Sequence, residues 1–282
     1  MAAVPALALL AAMLPAQAAP LTEDLQILGP WRDALRNAQA NETVVNSAVV
    51  GDSVTTTANT WVYWLRNHLW EHYGNAGEGS LDVHSSSNGD TSGGRVWWPV
   101  YANPWGLGSA WTRTYSDGSD THVLFPTGTW STCEHQGGGW RMQFEGDQAT
   151  LRYIEEPGAG TITIELSNQV ILTIDADAPV QASTTVEIPL PGPGTHLLEF
   201  ESTEPQSAPA STKLDLLDVR TGDPGSVLHR WGQPGKPCSH FLEKSEQMYQ
   251  DLFDTVQPDV LWLQCDPVGE PIDDYEADLR AL

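Results

Sequence analysis

The chain has 282 residues, long enough for two domains that each bury a core, because single domains cluster at roughly 100–200 residues. Its 37 acidic and 13 basic side chains give a formal net charge of −24, which repels phosphate backbones and anionic membranes and so argues against nucleic acid as a partner. The same charge suits the solvated surface of an exported protein.

Met1 to Ala18 is apolar and alanine-rich and ends in Ala16-Gln17-Ala18, the small-x-small pattern accepted by signal peptidase. Residues 1–18 are therefore expected to be an export signal, and the mature protein to be secreted or periplasmic. No Lys or Arg precedes the apolar run, which makes the signal atypical or places its true start upstream. No later segment approaches the ~20 apolar residues of a membrane span, so no transmembrane segment is expected after the signal. Cys133, Cys238 and Cys265 allow at most one internal disulfide, and their spacing matches no zinc pattern.

Leu21 to Asn41 reads as a polar lead-in with one short helix. Thr43 to Val50 is a β-branched run that stops at Gly51-Asp52-Ser53, as a strand entering a sharp turn does. Trp61, Trp64, Leu65, His68, Leu69 and His72 recur at helical spacing, which predicts an amphipathic helix over 56–73 packed on a sheet. Tyr73-Gly74-Asn75 supplies its stop. From Gly74 to about Pro224 short β-type runs alternate with Gly, Pro, Ser and Asp clusters: Trp140 to Phe144, Ala149 to Ile154, Thr161 to Leu166, Val170 to Asp175, Thr184 to Ile188, His196 to Glu201 and Lys213 to Val219. Such runs predict an antiparallel sandwich or jelly roll. Phe241, Met248, Leu252 and Phe253 then suggest a helix, and Val260-Leu261-Trp262-Leu263 a fully buried strand of a parallel sheet. The expected fold class is thus an α/β domain interrupted by an all-β insert. Its expected parts are 43–79 and 224–282 for the α/β domain and 80–223 for the insert; two consecutive domains with a mixed tail are the other arrangement.

A serine between a strand and a helix can expose its hydroxyl while its backbone N–H, near a positive helix terminus, faces a developing oxyanion. Ser53 has that place; as an ordinary turn, Asp52 or Ser53 would instead cap the helix. Val49-Val50-Gly51-Asp52-Ser53-Val54-Thr55 resembles the first motif block of SGNH (GDSL-type) hydrolases, and Tyr73-Gly74-Asn75-Ala76-Gly77-Glu78-Gly79 the exit from their first helix. Pro224-Gly225-Ser226-Val227 with Gly232-Gln233-Pro234-Gly235-Lys236-Pro237-Cys238-Ser239-His240 looks like the re-entry segment of peptidoglycan O-acetylesterase-like members. Those relatives carry a carbohydrate-binding-module-like jelly roll inserted between the two blocks. The resemblance implies a flavodoxin-like three-layer α/β fold and an ester-cleaving mechanism without cofactor or metal. Ser53 would be nucleophile and oxyanion donor, Asp52 part of its block, and Gly235 the second oxyanion N–H. The implied partner is a polysaccharide or cell-wall glycan bearing O-acyl groups.

Two parts of the family pattern are missing. Val268 occupies the place of the oxyanion asparagine in Cys265-Asp266-Pro267-Val268-Gly269-Glu270, and losing one such donor costs about 2.7–4 kcal/mol. No Asp-x-x-His block follows, and the last histidine is His240. The chain is therefore expected to be either a C-terminally incomplete esterase or a degenerate, glycan-binding relative. A serine hydroxyl without a base is a weak nucleophile, and His240 is the candidate substitute. The i, i+4 pair His68 and His72 suits packing better than a metal, having no third ligand at a suggestive spacing. Trp97, Trp98, Tyr101, Trp105, Trp111, Tyr115, Trp130 and Trp140 could stack on sugar rings or fill the sandwich. Asp117, Asp120, Asp175 and Asp177 could hold calcium, although acidic loops are abundant here.

Overall fold

The computed structural model describes residues 28–40, 43–51, 61–82, 97–100, 111–115, 129–133, 138–202, 212–232 and 246–264. The chain opens with helix α1 (Gly29–Gln39), started by Pro30, whose fixed φ suits a first helical position. Trp31, Leu35 and Ala38 are its buried stripe, and the Trp31 indole donates to Ser47 Oγ at 3.0 Å. Strand β1 (Val44–Gly51) follows, as the β-branched run predicts. Helix α2 (Trp61–Tyr73) takes up the second part of the expected 56–73 helix; residues 52–60 lie outside the described residues.

The buried face of α2 differs from the one its aromatic residues predict. Val62, Arg66 and Leu69 are buried, whereas Trp64 is 62% exposed. The reason is Arg66: its guanidinium meets Glu78 at 3.2 Å and lies over the rings of Tyr63 and Trp70, so a nominally polar position faces inward. Val62 packs with Val49 near the end of β1, and Leu69 shares a cluster with Val45 near its start, so α2 runs back along the strand.

Strands β2 (Gly79–Asp82), β3 (Trp97–Val100), β4 (Trp111–Tyr115), β5 (Thr129–Cys133), β6 (Gly138–Gly146), β7 (Gln148–Glu155), β8 (Thr161–Leu166), β9 (Gln169–Asp175), β10 (Ala182–Ile188), β11 (Gly194–Ser202) and β12 (Thr212–Arg220) form two antiparallel sheets. One has the order β10-β7-β12-β5-β4, with β2 also paired to β12; the other is β3-β6-β11-β8-β9. Strand alternation puts Leu151, Leu217 and Val219 of the first sheet and Met142, Phe144, Ile162, Ile164, Leu198 and Phe200 of the second into one shared core. The β-rich insert is thus a sandwich. The strand runs expected from 140 to 219 are all present, and four short strands precede them.

The chain then returns through β13 (Gly225–Gly232), α3 (Glu246–Val256) and β14 (Val260–Gln264). These strands flank β1 in a parallel sheet of order β13-β1-β14. Asp259 fixes the start of β14: its carboxylate accepts the Asn46 N–H at 2.9 Å, and its own N–H donates to Asn46 O at 2.7 Å. The expectation that residues 260–263 are fully buried is not met, since Leu261 and Leu263 are each 38% exposed. Among the described residues β14 has one strand neighbour, β1. Its Trp262 packs edge to face on Trp31 at 5.4 Å on the helix side, while the leucines alternate to the other face.

Candidate active site

Parallel pairing aligns the ends of three strands. Gly51 stands opposite Gly232 of β13 on one side and opposite Gln264 of β14 on the other. Ser53 follows Gly51 by two residues, Gly235 follows Gly232 by three, and Val268 follows Gln264 by four. All three motif segments therefore leave from the carboxyl edge of one sheet. The first strand of the domain lies at its centre with later strands on both sides, which is a topological switch point, where open α/β sheets hold their ligands. Asp52, Ser53, Gly235, His240, Cys238, Cys265 and Val268 themselves lie outside the described residues.

Under that edge is an apolar floor. Val49, Val62 and Leu228 are buried together, with Trp61, Leu65 and Trp262 against them. Beside Val50 in the register stands Trp231, fully buried, its indole N–H without a hydrogen-bond partner among the described residues. The described part of helix α2 begins beside this end of β1, Val62 packing on Val49. The three strands that precede the motif segments thus end side by side.

Four of the eight histidines fall among the described residues: His68, His72, His196 and His229. His68 and His72 lie on the later turns of α2, toward the start of β1, with ring centroids 4.2 Å apart. Burial and the neighbouring His72 lower the pKa of His68, with Glu71 opposing. No group of three potential metal-ligating side chains occurs among the described residues. His196, in the insert, has Nε2 at 3.1 and 2.9 Å from the carbonyl oxygens of Gly146 and Gly192. His229 is opposite Ala48, three residues before Gly51 and so about 10 Å short of the end of β1.

The insert residues singled out for ligand binding divide likewise. Asp175 accepts the Asp177 N–H at 3.1 Å and Asp177 accepts the Gly158 N–H at 2.6 Å, so both carboxylates cap backbone turns. Asp117 and Asp120 lie outside the described residues, as do Tyr101 and Trp105. Trp97, Trp98, Trp111, Tyr115, Trp130 and Trp140 are strand residues: Trp140 pairs with Phe200, and Trp98 shares a ladder row with Arg141 and Glu199.

Sequence reasoning missed one polar cluster altogether. Arg220, the last residue of β12, donates through Nη1 to Asn46 Oδ1 of β1 at 2.7 Å, grips Asp218 through Nε and Nη2, and places Nη2 3.2 Å from His229 Nε2. The alternation Asp218-Val219-Arg220 at a strand end was its only sequence signal.

No family model and no curated protein matches the chain. Among solved structures it is similar to a peptidoglycan O-acetylesterase, with TM-score 0.62 and 15% identity over 88% of this chain. The chain spans 65% of the length of that esterase. Smaller superpositions include a family two carbohydrate esterase from Cellvibrio japonicus, with TM-score 0.29 and 17% identity over 46% of this chain and 34% of that one. Another is the CsCBM6-3 module from Clostridium stercorarium in complex with cellobiose, with TM-score 0.30 and 11% identity over 52% of this chain and 96% of the module. The α/β domain with a β-sandwich insert is thus a fold shared with a peptidoglycan O-acetylesterase.

Proposed function

We propose that the chain is an exported relative of the SGNH carbohydrate esterases, acting on O-acyl groups, acetyl above all, of a polysaccharide or cell-wall glycan. The observation that supports this is that β1, β13 and β14, the strands that precede Ser53, Gly235 and Val268 in sequence, end side by side at Gly51, Gly232 and Gln264. In this reading Ser53 Oγ attacks the ester carbonyl and its proton passes to a base. The N–H groups of Ser53 and Gly235 hold the oxyanion, the alcohol leaves, and water hydrolyses the acyl-serine. An Asp-His pair from sequence beyond this segment, or His240 in its stead, supplies the base.

The replacement of the oxyanion asparagine by Val268 favours a second reading, in which catalysis is lost and the insert binds glycan. Hydrolysis of a chromogenic acetyl ester, run beside Ser53→Ala, separates the two. Turnover abolished by the substitution supports the esterase; no turnover in either protein, with polysaccharide binding that survives Ser53→Ala, supports the binding module. Turnover unchanged by Ser53→Ala would remove the serine from the mechanism.

A further inference from the structure

Two layers of the molecule meet around one imidazole. His229 of β13 is fully buried. The Ser80 N–H of β2 donates to its Nδ1 at 3.1 Å, with Ser80 Oγ 2.8 Å from the same nitrogen. Arg220 Nη2 lies 3.2 Å from Nε2, and the same guanidinium reaches Asn46 of β1. Strands β1 and β13 belong to the parallel sheet, β2 and β12 to the sandwich, so His229 and Arg220 together bridge both. The approach is close: a Cβ on Gly79 would come within 3.1 Å of His229 Nδ1 and 2.8 Å of Val227 Cγ1.

Only the neutral ring fits this setting. A backbone N–H and a guanidinium can only donate, whereas the Ser80 hydroxyl can donate or accept. A neutral imidazole offers one lone pair and one N–H, which one of the two donors and the hydroxyl can take up. An imidazolium offers no lone pair, so it would set a ring N–H against both obligate donors, where the neutral ring opposes only one, and would add a cation beside the guanidinium. Among the described residues, the charged groups facing the ring are Asp218 and Arg220 of β12. The other neighbours are neutral: Ser80 of β2, Asn46 and Ala48 of β1, and Trp231 of β13. Asp218 already serves Arg220. Burial above all holds the imidazole down at about 4, with Asp218 opposing and Arg220 reinforcing.

We infer that this contact is an acid-operated latch: protonation of His229 releases Ser80 and Arg220 and loosens β2 and the end of β12 on the parallel sheet. The sandwich cluster that includes β8 and β11 contains none of His229, Ser80 and Arg220, so its packing does not depend on this contact. With the ring near 6.5 when released and about 4 when latched, the opening equilibrium rises tenfold for each pH unit lost between those values.

Hydrogen exchange of the full chain tests this, with rates corrected for the intrinsic effect of pH. Between pH 7 and 4.5 the protection of the segment around Ser80 is expected to fall at least tenfold, while β8 and β11 keep theirs. In His229→Gln, which donates and accepts but does not titrate, that dependence is expected to vanish. Unchanged protection in the wild type, or the same dependence in His229→Gln, overturns the latch. A readout that needs no variant is the ring ¹⁵N shift: His229 is expected to stay neutral and in one tautomer at pH 6.5, then protonate in step with the loss of protection. Protonation with protection intact would equally overturn it.

Discussion

Arg66 and Glu78 meet at 3.2 Å with side chains that are each 1% exposed. The pair joins the helix behind the Ser53 segment to the chain entering the sandwich, and it is what allows α2 to turn Arg66 inward. Removing one partner of a buried pair leaves an uncompensated charge and typically costs 3–5 kcal/mol. Glu78→Ala is therefore expected to lower stability by about that much in urea unfolding, with an unchanged denaturant slope. Glu78→Gln, which still accepts a hydrogen bond, should cost less. Equal costs for the two would mean that the carboxylate charge, and not the hydrogen bond that glutamine keeps, carries the whole contribution; a Glu78→Gln cost near zero would mean that the charge contributes nothing.

Gly77 sits at φ +129°, where a Cβ would come within 2.3 Å of Val219 O and 2.6 Å of Arg220 Cα. Backbone cannot yield as a side chain can, so Gly77→Ala combines a disfavoured conformation with overpacking and should cost about 2 kcal/mol or more. Gly194 provides the control: at φ +151° a Cβ there would meet nothing within 4 Å, so alanine encounters conformational strain alone. Thermal unfolding of both variants should rank Gly77→Ala well below Gly194→Ala. The reverse order would show that the close approach of residue 77 to β12 does not constrain the fold.

The strands from β6 to β12 were legible because each buries one face, and alternation such as Thr161-Ile162-Thr163-Ile164 records that directly. Strands β2 to β5 were not, since runs of four or five residues such as Thr129-Trp130-Ser131-Thr132-Cys133 lie among glycine and serine, and their aromatics suit sugar stacking and sandwich filling alike. Burial of α2 was misread because a paired arginine can occupy an inward position that a hydropathy pattern assigns to aromatics. Of the candidate site, the strand ends were legible from Gly51 and the Gly232 segment. The partial exposure of β14 was not, because neighbours across a sheet are set by topology rather than by the apolar content of one strand.

Register in the sandwich makes a sharp test of adjacent residues. Leu198 of β11 is fully buried between the sheets, whereas Leu197 is 44% exposed on the other face. Leu198→Ala should cost about 2–5 kcal/mol through lost burial and a residual cavity. Leu197→Ala should stay within about 0.5 kcal/mol. A strand slipped by one residue would exchange these two costs, since a one-residue shift moves every side chain to the opposite face.

Tyr153 of β7 reports the same core at alkaline pH. Burial first, then its hydrogen bond to Glu155 at 3.0 Å and the charge of that carboxylate, push the phenol up to about 12. The unfolded chain would ionise this tyrosine near 10, so between about pH 10 and 12 the unfolded state holds fewer protons than the native one. Stability from this residue is therefore full below pH 10 and is lost as pH rises through that window. Phenolate absorbance should show a late-ionising tyrosine among the seven, and Tyr153→Phe should abolish that step and flatten the alkaline fall in stability. A late step that persists in Tyr153→Phe would assign it to another tyrosine and leave Tyr153 an ordinary phenol.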